Sequence, residues 1–179
     1  MRTRVLLADD HRVLRDGLRA MLESQADIEV VAEAGNGRDA VYLARKLSPD
    51  VIIMDANMPD LNGAMATRRI LAQQPHVKVV ALSMHSDPHY VDDMLSAGAS
   101  AYLVKTCDIE ELLHAIDVAK NGQSYLSPEI TQTVVSGYVR GAYVCERSAG
   151  AELTDREREV LQLLAEGKTS KEIAHKLHV

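Results

Sequence analysis

Hydrophobic and polar positions along this chain follow two alternating periods. Short apolar runs fall at Arg4 to Ala8, Ile28 to Ala34, Val51 to Met54, Val77 to Leu82 and Ala101 to Val104. Between them, apolar residues recur every three or four positions, as on one face of a helix. The run Val51-Ile52-Ile53-Met54 is unbroken until Asp55, which suits a strand buried on both faces in the middle of a parallel sheet. The first helical stretch runs from about His11 to Glu23 and carries Leu14, Leu18, Met21 and Leu22 at helical spacing. Asn36, with Asp39 three positions on, opens the second. The third spans Gly63 to Gln74 and is broken by Pro75. Asp87 caps the fourth, Pro88 takes its first position and Gly98 lies just past its end. Asp108 and Glu111 start the fifth in the manner of a capping box. Five strand–helix units with connections this short predict an α/β protein. Its parallel sheet is doubly wound, with helices on both faces and right-handed crossovers.

Asn121-Gly122 ends this unit, so the first domain is expected over 1–122. A linker over 123–150 holds one helix, from Pro128 to about Arg140, with Ile130, Val134, Val135 and Tyr138 sharing a face. Gly141 to Gly150 has no periodicity. Over 151–179 a capping box, Thr154-Asp155-Arg156-Glu157, opens a helix with Val160, Leu161 and Leu164, closed by Gly167. Thr169 to Glu172 repeats the signal for a shorter helix with Ile173 and Leu177. Two short helices around a glycine turn are the front part of a helix-turn-helix, and Val179 comes before the third, recognition helix.

Composition narrows the class. The 179 residues are 46% hydrophobic, and no run is long enough to cross a membrane. The N-terminal run Val5-Leu6-Leu7-Ala8 is cut off by Asp9-Asp10, so it reads as a strand rather than a signal peptide, and a cytoplasmic protein is expected. Cys107 and Cys145 form no disulfide pattern, and Cys107 reads as a small packing residue. The net charge of −6 is unevenly spread: 13 Lys+Arg face 18 Asp+Glu over residues 1–121, and 5 face 6 over residues 151–179. No part of the chain is a basic platform for nucleic acid, and these residues are expected to bind DNA poorly without a recognition helix.

The candidate chemistry gathers at carboxyl ends of strands, where open α/β sheets hold their ligands. Asp9 and Asp10 follow the first strand, Asp55 the third, Ser83 the fourth and Lys105 the fifth. Three crowded carboxylates call for a cation, and oxygen-only ligands favour a hard ion such as Mg²⁺. A lysine opposite them suits a transferred phosphoryl group, and the Ser83 hydroxyl can donate to the same oxygens. Asp55 is then the expected nucleophile, giving an acyl phosphate. Singly, each residue has a plainer role: an Asp after a strand is often a turn or cap, and a lysine is often solvated surface.

The order of these residues resembles bacterial two-component response regulators of the NarL/FixJ type, over nearly the whole chain. The motifs that carry the likeness are Leu7-Ala8-Asp9-Asp10-His11, Met54-Asp55-Ala56-Asn57-Met58-Pro59, Leu82-Ser83-Met84-His85, Ala101-Tyr102-Leu103-Val104-Lys105 and Leu153-Thr154-Asp155-Arg156-Glu157-Arg158-Glu159-Val160-Leu161. The resemblance implies a CheY-like receiver with strand order 2-1-3-4-5, followed by a truncated LuxR-type helix-turn-helix. It implies that Asp55 accepts a phosphoryl group from a sensor histidine kinase. Mg²⁺ would be held by Asp10, Asp55 and the carbonyl of Asn57, with Asp9 acting through water. Ser83 and Lys105 would contact the phosphoryl group, and Tyr102 would rotate inward when Ser83 moves; on its own Tyr102 is a strand aromatic. A homodimer on phosphorylation, DNA as partner of the complete C-terminal domain, and no membrane partner complete the expectation. Many members carry proline after the lysine, often with a cis bond. Thr106 stands there in this chain, so the proline does not carry over and the resemblance leaves the geometry of the Lys105–Thr106 bond open.

Rival functions fit less well. Gly35-Asn36-Gly37-Arg38-Asp39-Ala40 matches a dinucleotide-binding pattern, yet it follows the second strand rather than the first and reads as a helix cap. His85 and His89 lack partners at zinc-ligand spacing. A phosphohydrolase of the haloacid-dehalogenase type would place an aspartate two residues after its nucleophile, where this chain has Asn57, and no cap insertion is visible. The chain is therefore expected to be a switch and not a metabolic enzyme. An interaction domain that is never phosphorylated would have little use for the full set Asp9, Asp10, Asp55, Ser83 and Lys105.

Overall fold

The computed structural model describes residues 2–139 and 153–177. Strands and helices alternate as β1 (Thr3–Ala8), α1 (Arg12–Glu23), β2 (Ile28–Ala34), α2 (Gly37–Leu47), β3 (Val51–Asp55), α3 (Gly63–Gln73), β4 (Lys78–Ser83), α4 (Pro88–Ser96), β5 (Ala101–Val104) and α5 (Ile109–Lys120). A short β6 (Tyr125–Leu126), α6 (Pro128–Val139), α7 (Asp155–Ala165) and α8 (Ser170–Leu177) follow. The sheet is parallel, in the order β2-β1-β3-β4-β5-β6. The doubly wound fold is the one anticipated, but the sheet has six strands rather than five. The sequence signal for β6 is only two residues long, too short for any periodicity to register.

Strand alternation divides the core in two. Val5, Leu7, Val51, Ile53, Val80, Leu82, Ala101 and Leu103 face α1 and α5. Leu6, Ala8, Ile52, Met54, Val79, Ala81 and Tyr102 face α2, α3, α4 and α6. Because β3 is covered on both sides, all five of its residues are buried. The expected caps are in place: Asn36 accepts from Asp39 N, Asp87 from His89 N with Pro88 following, and Asp108 from Glu111 N. Gly98, at φ 102°, turns the chain out of α4 in a conformation that a side chain would resist.

Face assignments differ in three places. On α1, Leu18 and Leu22 are buried while Met21 is 42% exposed. On α6, Ile130 is fully buried against the α4 side of the core and Val134 packs beside it, but Val135 points outward. On α7 the buried apolar residue is Leu163, which joins Ile173, Leu177 and Val160, whereas Leu161 and Leu164 are half exposed. The expected end of α6 at Arg140 and the linker 141–150 lie outside the described residues.

Candidate functional site

The parallel register puts the carboxyl ends of β1, β3, β4 and β5 side by side. Ala8 pairs with Met54, Asp55 with Leu82, and Ser83 with Val104, so the residues just beyond them converge at one rim of the sheet. Lys105 Nζ reaches Asp9 Oδ2 and Asp55 Oδ2 at 2.7 Å each, and its side chain is only 3% exposed. Asp9 and Asp55 are buried while Asp10 is exposed. One ligand atom from each of Asp9, Asp10, His11 and Asp55 lies within 4.8 Å of the others.

The loop after β3 finishes the pocket. Asn57 N donates to Asp55 Oδ1 at 3.1 Å, which tethers the loop to the carboxylate. Gly63 opens α3 against the backbone it has just left: a Cβ there would sit 2.1 Å from the Asp55 carbonyl oxygen. Only glycine permits this approach, and it fixes the position of the β3 end. On the β4 side, Ser83 is fully buried and its Oγ accepts from His85 N at 3.1 Å. The Tyr102 hydroxyl, also buried, donates to the His85 carbonyl at 2.8 Å. Ser83 and Tyr102 therefore meet through one residue of the β4–α4 connection.

Burial pushes the Asp55 carboxyl above its ordinary range, against the opposing pull of Lys105 and the Asn57 N–H. For Lys105 burial acts downward, but hydrogen bonds to Asp55 and Asp9 outweigh it and hold the ammonium above the usual lysine value. The Tyr102 phenol is raised, first by its burial. One ammonium against two carboxylates, with Asp10 adjacent, leaves the cluster short of positive charge, which a bound cation would offset.

The donor set fits a hard divalent cation: carboxylate oxygens of Asp9, Asp10 and Asp55, with Asn57 on the adjoining loop. His11 is the residue that the sequence pattern left without a role. Its Nδ1 lies 2.8 Å from Asp10 Oδ1 and 3.3 Å from Asp9 Oδ1, a position legible only from its place directly after the acidic pair. The decoys resolve as ordinary structure: Asn36 is a helix cap, and His85 stacks on Tyr90 with ring centroids 4.6 Å apart.

A doubly wound parallel sheet with paired acids, a buried aspartate and a buried lysine at one rim defines a receiver-type α/β domain. The family model "Response regulator receiver domain" matches residues 5–117, and "Bacterial regulatory proteins, luxR family" matches residues 151–179. Transcriptional regulatory protein LiaR of Bacillus subtilis (strain 168) is 42% identical over 177 residues, covering 98% of this chain and 82% of LiaR. Transcriptional regulatory protein DegU of Brevibacillus brevis is 37% identical over 188 residues, covering 98% of this chain and 80% of DegU. The crystal structure of a LuxR-family two-component response regulator from Aurantimonas sp. SI85-9A1 superposes with TM-score 0.74 at 33% identity, over 78% of this chain and 99% of that one. The chain belongs to the two-component response regulators of the NarL/FixJ type, a receiver joined to a LuxR-type DNA-binding domain, and these are transcription regulators. Among the described residues no helix is long and apolar enough to cross a membrane.

Proposed function

We propose that Asp55 is the phosphoacceptor of this regulator and that a sensor histidine kinase is its donor. The observation that carries this is the Lys105 ammonium, 2.7 Å from both Asp9 and Asp55 although these residues stand on three different strands or their ends. An Asp55 carboxylate oxygen attacks the phosphorus of a phosphohistidine. The P–N bond breaks, the imidazole leaves with the electron pair, and an aspartyl phosphate remains. Lys105 balances charge on the phosphoryl oxygens, and the Ser83 hydroxyl donates to one of them once it turns toward the pocket. Asp10, Asp55 and the Asn57 carbonyl would hold Mg²⁺, with Asp9 acting through water; the ion would supply positive charge to offset that of the carboxylate and phosphoryl oxygens.

Output follows from the same contacts. Tyr102 is already buried in this structure, the position that the expected inward rotation would reach, and a Ser83 drawn to the phosphoryl group would act through the shared His85 to fix it there. We assign 1–122 to the receiver, 123–150 to a linker with one helix and 151–179 to the front of the DNA-binding domain. We place the protein in the cytoplasm, dimeric when phosphorylated, acting on DNA through the complete C-terminal domain. With acetyl phosphate and Mg²⁺, the intact mass should rise by one acid-labile phosphoryl group, and Asp55→Asn should lose that gain. Undiminished labelling of Asp55→Asn would place the acceptor elsewhere.

A further inference from the structure

The acidic pair is gripped from outside the pocket as well as from within. Within it, Asp9 Oδ2 meets Lys105, and Asp9 Oδ1 accepts from His11 N at 2.8 Å. Outside it, Asp9 N donates to the Ala34 carbonyl of β2 at 3.0 Å. On the same side, the Asp9 carbonyl accepts from Arg15 Nη1 of α1 at 2.5 Å. That guanidinium also gives its Nε to Glu33 Oε2 at 3.0 Å, one residue before Ala34 on β2. Strand β2 therefore holds Asp9 twice, directly through Ala34 and again through Glu33 by way of Arg15. Both charged side chains are largely covered, Arg15 at 16% exposure and Glu33 at 21%. Burial pushes the Glu33 carboxyl up, but hydrogen bonds from Arg19 and Arg15 outweigh it and hold the group below its ordinary range, so it stays charged.

Asp10 has no comparable anchorage. It is exposed, and among the described residues its carboxylate meets only the His11 ring, at 2.8 Å. Its aim must come from the backbone. The Asp9 carbonyl and the Asp10 N–H belong to one planar unit, so the direction of that oxygen sets how the Asp10 side chain leaves the turn. A charge-assisted bond to that oxygen, from a group itself braced on the neighbouring strand, is a firm way to set it. We infer that Arg15, braced on Glu33, is a positioning residue for the cation site: it fixes the Asp9–Asp10 peptide plane and so aims the Asp10 carboxylate without touching the ion. This rests on Asp10 being a ligand of a divalent cation.

The sign of the effect separates positioning from charge. By Coulomb's law alone, removing a cation from beside the site would tighten binding of a divalent ion. Loss of an outer hydrogen bond that orients a ligand does the opposite. Arg19 supplies the comparison: its Nη1 takes the other Glu33 oxygen at 2.7 Å, yet it lies farther along α1 and makes no bond to Asp9.

The test measures Mn²⁺ binding to the full chain from the free-ion signal in electron paramagnetic resonance, with the melting temperature of the metal-free protein as the check on folding. Wild type binds Mn²⁺ and Asp10→Ala loses it. Arg15→Gln weakens binding about tenfold. Arg19→Gln removes the same charge from a half-exposed pair, and its affinity stays within about twofold of wild type. Arg15→Lys keeps the charge, but one ammonium does not span both partners as the guanidinium fork does. If Arg15→Gln fails to fold, Arg15→Lys still weakens binding by roughly threefold or more. Folded Arg15 variants that bind Mn²⁺ as tightly as wild type, or more tightly, overturn the positioning role and leave the cation site standing. An equal loss in Arg19→Gln overturns it too, since the effect would then belong to the ion pairs as a whole. If wild type binds no Mn²⁺, or Asp10→Ala binds it equally well, the cation site falls and the role of Arg15 falls with it.

Discussion

Burial works against the charge on Lys105, and two carboxylates work for it; the carboxylates prevail. Cys107, two residues on, has no such partner. Burial, with Glu111 and Asp108 nearby, pushes its thiol up to about 11. A thiol raised that far stays protonated at neutral pH, and only the thiolate is a nucleophile. In the native protein, alkylation of Cys107 at pH 8 should be slower than for a peptide thiol by roughly a hundredfold or more, speeding up only as the pH approaches 11. Peptide mapping after timed iodoacetamide exposure checks this, and rapid native labelling at pH 8 would show that the thiol is not held protonated. At this scale the site was largely readable from the chain. Asp9, Asp10, Asp55 and Lys105 each end a strand, and strand ends in a parallel sheet have one place to meet. His11 was readable only as the neighbour of the acidic pair, because the direction its ring takes depends on how α1 departs from β1.

Helices were legible where their caps were chemical and their buried face was broad. The boundaries of α2, α4 and α5 follow from Asn36, Asp87 and Asp108, each of which accepts the backbone donor expected of a cap. Periodicity served less well where a helix packs on a narrow groove. Val135 is one position past Val134, a turn of about 100°, and that is enough to carry it off α4 into solvent. On α7 the apolar signal misled for a different reason. The helix uses one face for Leu163 and Val160 and another, polar, for the receiver, and polar residues at helical spacing read as solvated surface. The packing of α6 can be tested directly. Ile130 is fully buried with Val91 and Met94 of α4 in the same cluster, so Ile130→Ala should cost about 2–4 kcal/mol and lower the melting temperature by roughly 5–15 °C. A loss under about 0.5 kcal/mol would make α6 a tether rather than part of the domain.

Across the whole molecule, stability and ligand binding are linked. A cation that binds only the folded state stabilises it by mass action. At ten times its dissociation constant, Mg²⁺ should add about 1.4 kcal/mol and raise the melting temperature by roughly 3–5 °C. Asp10→Ala should abolish the increment while leaving the metal-free protein close to wild type, since Asp10 is exposed. Calorimetry with and without Mg²⁺ decides this, and an equal shift in the variant would remove Asp10 from the ligand set.

The two-residue β6 has a consequence for association. A bare β5 would offer strangers its row of unpaired amides and carbonyls, an invitation to add strand upon strand. Tyr125 and Leu126 cap that margin with the chain's own backbone. They leave a border too short for another chain to template on, so runaway stacking has no foothold at this flank of the sheet.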